Sequence, residues 1–68
     1  MKERIAQIVN TKGLLIKVGS HYIIDKGFRK GGEIKLLVIY GKYFCRVKDL
    51  DTGTEWDTMC NRLSCLES

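Results

Sequence analysis

From Glu33 onward, polar and apolar residues alternate along the chain. Glu33 and Lys35 fall on one side, Ile34 and Leu36 on the other. A period of two marks a strand with one face to a core and one to solvent. The alternation then gives way to Leu36-Leu37-Val38-Ile39-Tyr40, apolar on both sides. That pattern fits a strand buried on both faces, or one that bends across two sheets of a barrel. Tyr40-Gly41-Lys42-Tyr43 is a tight turn centred on Gly41-Lys42. Residues 43–49 alternate again, with Tyr43, Cys45 and Val47 on one side and Phe44, Arg46 and Lys48 on the other. Leu50-Asp51-Thr52-Gly53 suits a type I turn closed by a left-handed glycine, and residues 54–59 make the next strand. With this turn, Leu50 faces Thr54, Lys48 faces Trp56 and Arg46 faces Thr58. Residues 33–59 thus form a three-stranded meander that the other segments close around.

Earlier in the chain, residues 4–9 and the apolar run 14–18 flank Asn10-Thr11-Lys12-Gly13, where Asn opens and Gly closes a turn of the same kind. The two runs are therefore expected to pair. Val18-Gly19-Ser20-His21 has glycine at the first central position, as a type II′ hairpin turn requires, and leads into a short strand from His21 to Ile24. Residues 25–32, DKGFRKGG, carry three glycines and four charges and are expected to be an irregular loop. An exposed Phe is costly, so Phe28 is expected to fold inward and cap one end of the barrel. Asn61-Arg62-Leu63 is expected to form a short 3₁₀ turn, and residues 64–66 a last short strand. The prediction is a single all-β domain over residues 1–68, a small antiparallel barrel of five to six strands with a 3₁₀ turn before the last one.

Composition narrows the chemistry. The chain has 68 residues, enough for one small core near the lower limit for unaided folding. No apolar run approaches the roughly 20 residues of a membrane span, and the start of the chain does not read as a signal peptide. The three cysteines Cys45, Cys60 and Cys65 are an odd set. They are expected to be reduced thiols in a cytoplasmic protein, with a Cys60–Cys65 bridge as the alternative. A zinc site from Cys45, Cys60, Cys65 and His21 lacks the usual close cysteine pair, because the last two are separated by four residues. No nucleophile–base pair stands out, and no phosphate-loop spacing is present in the 25–32 segment. The expectation is a protein that is not an enzyme and needs no cofactor or metal.

Charge is unevenly distributed. Residues 1–48 carry eleven Lys and Arg against three carboxylates, a net of +8, whereas residues 49–68 carry a net of −4. Under the register above, Phe44, Arg46, Lys48 and Trp56 share one face, with Lys12, Lys26, Arg29, Lys30 and Lys42 around it. Aromatic rings stack on bases and cations neutralise phosphates, so such a face suits nucleic acid. In the contrary arrangement, Trp56 and Phe44 belong to the core and the alternation is reversed.

The order of elements resembles that of the SH3-like small barrels. The residues that carry the likeness are Gly32-Glu33-Ile34 entering the meander, Tyr43-Phe44 opening its second strand, Asp51-Thr52-Gly53 at its tight turn and Asn61-Arg62-Leu63 before the last strand. The likeness spans about residues 30–66. The paired aromatics and the proline that build the peptide groove of signalling SH3 domains are missing, so binding of proline-rich peptides is not implied. An OB-like barrel is the structural rival. The resemblance implies a small binding module and leaves its ligand open. The expected function is nucleic-acid binding through Lys26, Phe28, Arg29, Lys30, Lys42, Phe44, Arg46, Lys48 and Trp56. The alternative is a protein-interaction module that docks on a larger acidic partner as its regulator or inhibitor. Leu37 and Ile39, if exposed, would favour that alternative or a homodimer.

Overall fold

A computed structural model describes residues 5–66 of the chain. Seven strands occur among them: β1 (Gln7–Val9), β2 (Leu15–Lys17), β3 (His21–Ile24), β4 (Glu33–Ile39), β5 (Phe44–Asp49), β6 (Glu55–Met59) and β7 (Leu63–Ser64). A 3₁₀ turn, Cys60–Arg62, stands before β7. The strands match the seven extended segments read along the chain, so the count exceeds the five to six expected of the barrel. The all-β class and the 3₁₀ turn before the last strand are as expected.

All pairings are antiparallel. β3 to β7 form one sheet in the order β6-β5-β4-β3-β7, and β1 and β2 form a second. The long strand β4 curls the larger sheet. Leu36 lies opposite Val47, but Val38 lies opposite Arg46, so Leu37 is an extra residue in a β-bulge. A bulge bends its strand and sharpens its twist. The far end of β4 then reaches the other sheet, where Ile39 bridges to Ile5. The apolar run 36–40 therefore marks a bend between sheets, and the result is a curled half-barrel. Ile39 is only 4% exposed and Leu37 is half-buried, so this pair does not offer the exposed apolar surface that a homodimer through it requires.

Ile16, Tyr22, Ile24, Ile34, Leu36, Ile39, Cys45, Val47, Cys60 and Leu63 make the core, with Ile5, Ile8, Leu14 and Trp56 packed against it. Each fully buried Ile or Leu contributes about 1.5–3 kcal/mol. Cys45 and Cys60 are core residues as free thiols, and Cys65 is exposed. Burial pushes the Cys45 and Cys60 thiols above the ordinary thiol range, so both serve as small apolar residues.

Two turns differ from their sequence readings. The Ser20 N–H donates to the Lys17 carbonyl (3.2 Å), so Gly19, at φ +93°, is the third residue of the turn and not the second. This turn is a corner between sheets, not a hairpin. Gly19 N–H donates to Leu36 O (2.7 Å) and Leu36 N–H to Ser20 O (2.9 Å), which fastens the corner to β4. The buried Tyr22 hydroxyl accepts the Lys17 N–H (2.8 Å) and braces it.

The second difference is one of register. Asp49 N–H donates to Thr54 O (2.7 Å) and Gly53 N–H to Asp49 O (2.8 Å), so the loop runs over residues 50–53 and is one residue longer than expected. Val47 lies opposite Trp56, Lys48 opposite Glu55 and Arg46 opposite Asp57. A shift of one residue moves every side chain to the other face. Trp56 therefore joins the core side with Val47, and Glu55 and Asp57 take the outer face.

Candidate functional site

The nine expected contact residues divide into two groups. Phe44, Arg46 and Lys48 stand on the outer face of β5, while Trp56 lies on the inner face of the edge strand β6. The single shared face predicted for these four does not form. Arg46 is also occupied, with Nε 3.3 Å from Glu55 Oε1 and Nη1 3.2 Å from Asp57 Oδ1. Asp57 further accepts the Tyr40 hydroxyl (3.1 Å). Lys48 lies between Lys35 on β4 and Glu55 on β6. This face is a mixture of signs, unlike the cationic track that a phosphate backbone favours. Lys42 sits in the β4–β5 turn with Phe44 beside it, at the opposite end of β4 from the 25–32 loop, on the order of 20 Å along the strand.

The second group is gathered by the 25–32 loop. Its base is closed by Ile24 N–H donating to Gly32 O (3.1 Å) and Gly31 N–H to Ile24 O (2.7 Å). Two successive turns follow inside it: Lys30 N–H donates to Gly27 O (3.1 Å) and Gly32 N–H to Arg29 O (2.9 Å). Gly27 at φ +87° and Arg29 at φ +59° permit this tight path. A left-handed Arg is uncommon and carries a strain cost, and here its side chain is held at three points. Arg29 Nη1 donates to Asp49 Oδ2 at 2.9 Å. The guanidinium carbon also lies 5.1 Å from the Phe28 ring centroid and 5.8 Å from that of Trp56. Phe28 and Trp56 meet edge to face at 5.1 Å, with their planes at 85°.

Phe28 is 58% exposed. It does not cap the barrel from inside; it leans on Trp56 at the surface. The two rings and the guanidinium between them form one platform anchored on Asp49. The N–H groups of Asp51 and then Thr52, with the Arg29 guanidinium, hold the Asp49 carboxyl below the usual carboxylate range against the opposing effect of burial. Lys26, on the cleft side of the loop, and Lys30 are exposed and without a carboxylate partner among the described residues.

Beyond Gly27 lies an open cleft of about 600 Å³, lined by Lys12, Asp25, Lys26, Met59, Asn61 and Arg62. Asp25 binds Lys12 and accepts the Ser64 hydroxyl at 2.5 Å. These contacts, Lys12 first, hold its carboxyl below the usual range. In the sequence, Arg62 and Asn61 stand out only as parts of a turn. A local reading offers no signal for their place here, because the 3₁₀ turn and the 25–32 loop meet across a long separation in the chain.

Among the described residues, no group of three or more His, Cys, Asp or Glu side chains converges as metal ligands would. His21 stands on the outer face beside Glu33, away from the buried Cys45 and Cys60. Among the described residues, no helix is long and apolar enough to cross a membrane. No protein-family model, curated protein or solved structure matches this chain.

Proposed function

We propose that this protein is a non-enzymatic binding module of the SH3-like kind that holds single-stranded nucleic acid on the Phe28–Arg29–Trp56 platform. The observation that carries this reading is the exposed Phe28 ring, braced by Trp56 at 5.1 Å, with Lys26 and Lys30 two residues before and after it in the chain. Base stacking on an exposed aromatic is worth about 1–3 kcal/mol per base and tolerates any sequence. Duplex bases are stacked on one another and cannot reach such a ring, so a single strand is the preferred form. The neighbouring lysines supply the charge that neutralises the backbone. The mixed-charge outer face of β5 is left out of the contact.

A fluorescence anisotropy titration of single-stranded and duplex oligonucleotides over a salt series tests this. Phe28→Ala is expected to weaken single-strand binding by about 1–3 kcal/mol. Lys26→Ala and Lys30→Ala are each expected to lower the magnitude of the salt slope by about 0.7. Arg46→Ala should leave both nearly unchanged. Absence of binding by the folded protein at low salt would sink the proposal.

One feature favours the alternative of a protein partner. Val38, Tyr40, Tyr43 and Phe44 are all exposed around the β4–β5 turn, and Tyr and Phe are enriched at protein interfaces. Lys42 between them would suit an acidic partner surface, chiefly by raising the association rate. In a nuclease-treated pull-down, stoichiometric capture of one protein that is lost with Tyr43→Ala and retained with Phe28→Ala would favour this reading.

A further inference from the structure

The 25–32 loop has two sides, and only one carries the aromatic platform. On the other side, the cleft is built from three cations and one carboxylate. The carboxylate is already engaged: Asp25 takes both Lys12 and the Ser64 hydroxyl. That closed set leaves Lys26 and Arg62 with no carboxylate partner among the described residues. Two uncompensated cations therefore face one recess.

The backbone of Arg62 is held in place. Its carbonyl accepts the Asp25 N–H at 2.9 Å, and the next residue, Leu63, is fully buried. Its guanidinium lies directly against Gly27, where a Cβ would stand 2.7 Å from Nη1. Glycine at 27 thus meets two needs, the positive φ of the turn and the room for this side chain. The fixed backbone thus directs the side chain to the Gly27 side of the cleft. A planar fork beside a lysine is the arrangement that takes a phosphate, two parallel bonds from one and a point charge from the other. The half-buried Asn61 on the same wall adds a neutral side-chain amide.

We infer that this cleft is a phosphate seat, with Arg62 and Lys26 as the binding residues. It receives a phosphate of the same single strand whose base stacks on Phe28, and it rests on the nucleic-acid reading given above. Gly27 is the only residue between Lys26 and Phe28, so the two sites flank one turn of backbone. A cleft of about 600 Å³ falls within the range of small-molecule sites and admits a nucleotide-sized group.

The test is a two-dimensional amide NMR titration of the folded protein with thymidine, thymidine 5′-monophosphate and inorganic phosphate, beside anisotropy with a single-stranded thymidine oligonucleotide. Both phosphate-bearing probes are expected to shift the amides of Gly27, Asn61 and Arg62, and thymidine is not. Arg62→Gln and Lys26→Gln are each expected to weaken oligonucleotide binding about tenfold and to abolish the phosphate-induced shifts. If the oligonucleotide binds in a Phe28-dependent way and Arg62→Gln leaves its Kd and salt slope unchanged, the seat is refuted and the platform stands. If phosphate shifts the cleft but no oligonucleotide binds, the nucleic-acid function fails and so does the assigned ligand. Equal shifts from a glutamate-rich peptide would also overturn phosphate as the ligand.

Discussion

Two hairpin tips, residues 10–14 and 49–54, are held by the same device. In each, a buried polar side chain at the start of the loop turns inward and receives backbone N–H groups of its own loop. Asn10 Oδ1 accepts from Lys12 N (2.9 Å) and Leu14 N (3.0 Å); Asp49 Oδ1 accepts from Asp51 N (2.8 Å) and Thr52 N (3.3 Å). Each then uses its second polar atom on a distant segment. Asn10 Nδ2 donates to the Cys60 carbonyl at 2.9 Å, whereas Asp49 Oδ2 accepts from Arg29 at 2.9 Å. The partner explains the residue. A carbonyl needs a donor, so the buried side chain is a neutral amide; a guanidinium needs an acceptor, so it is a carboxylate. The first tip pins the 3₁₀ turn that carries Arg62. The second pins the platform. The two candidate contact regions are thus each anchored by one buried polar residue.

Exchanging the two chemistries is the harshest way to break this correspondence. Asn10→Asp would set a carboxylate oxygen against the Cys60 carbonyl at a site only 3% exposed. The lost bond and the repulsion are expected to cost about 3 kcal/mol at neutral pH. A domain of this size rarely has more than roughly 3–5 kcal/mol in total, so the variant should be largely unfolded at pH 7. Protonation restores a donor. Below about pH 4 the variant should therefore recover relative to wild type. Circular dichroism with urea melts across pH reads this, and a fully folded, pH-insensitive variant would show that the Asn10–Cys60 bond is not needed.

The reverse exchange acts through Arg29. Asp49→Asn keeps an oxygen for the two loop N–H groups but sets an amide donor against the guanidinium. The Asp49 carboxyl is held below its ordinary value in the folded protein. Its contribution to stability is therefore complete above the unfolded value of about 3.9 and is lost as pH falls through the lower folded value. Asp25 titrates with the same sign. Wild type should lose stability on acidification below about pH 4, and Asp49→Asn should be weaker at pH 7 with a shallower acid loss. The platform should loosen with it, seen as a change in Trp56 fluorescence. An unchanged acid profile would mean that Asp49 does not contribute through its charge.

The same pair of tips shows what could be read from the chain in advance. Asn10-Thr11-Lys12-Gly13 contains one polar residue that fits the opening position, and the expected pairing of β1 with β2 forms, Ile8 opposite Ile16. The segment from Asp49 to Gly53 contains two. Asp51-Thr52-Gly53 repeats the shape of a shorter loop, but it is Asp49 that is buried, because Arg29 is there to receive it. That partner lies twenty residues away and leaves no local trace. A different signal was present: pairing Val47 with Trp56 places apolar against apolar, whereas pairing Lys48 with Trp56 does not. Matching the faces of adjacent strands would have favoured the longer loop. The strands, their order, the 3₁₀ turn and the glycine at φ +79° in the second tip follow from local pattern. The platform and the cleft depend on contacts between distant segments and on a register that one residue decides.

The mildest test asks whether the two tips carry the same backbone cost. Gly13 and Gly53 sit at φ +85° and +79°, and a Cβ added at either meets nothing within 4 Å. No steric clash adds to the conformational penalty, which is about 1 kcal/mol for a residue with a Cβ. Gly13→Ala and Gly53→Ala are therefore expected to cost nearly the same, and in the double variant the two costs should add, since the tips share no partner. Asn is the substitution best tolerated in this conformation, so Gly53→Asn should recover part of the loss. Urea melts of the four variants measure it. A much larger cost at Gly53 than at Gly13 would mean that the four-residue loop is bound to the Asp49–Arg29 contact more tightly than its backbone geometry requires. A smaller one would mean that the longer loop relaxes around the new side chain.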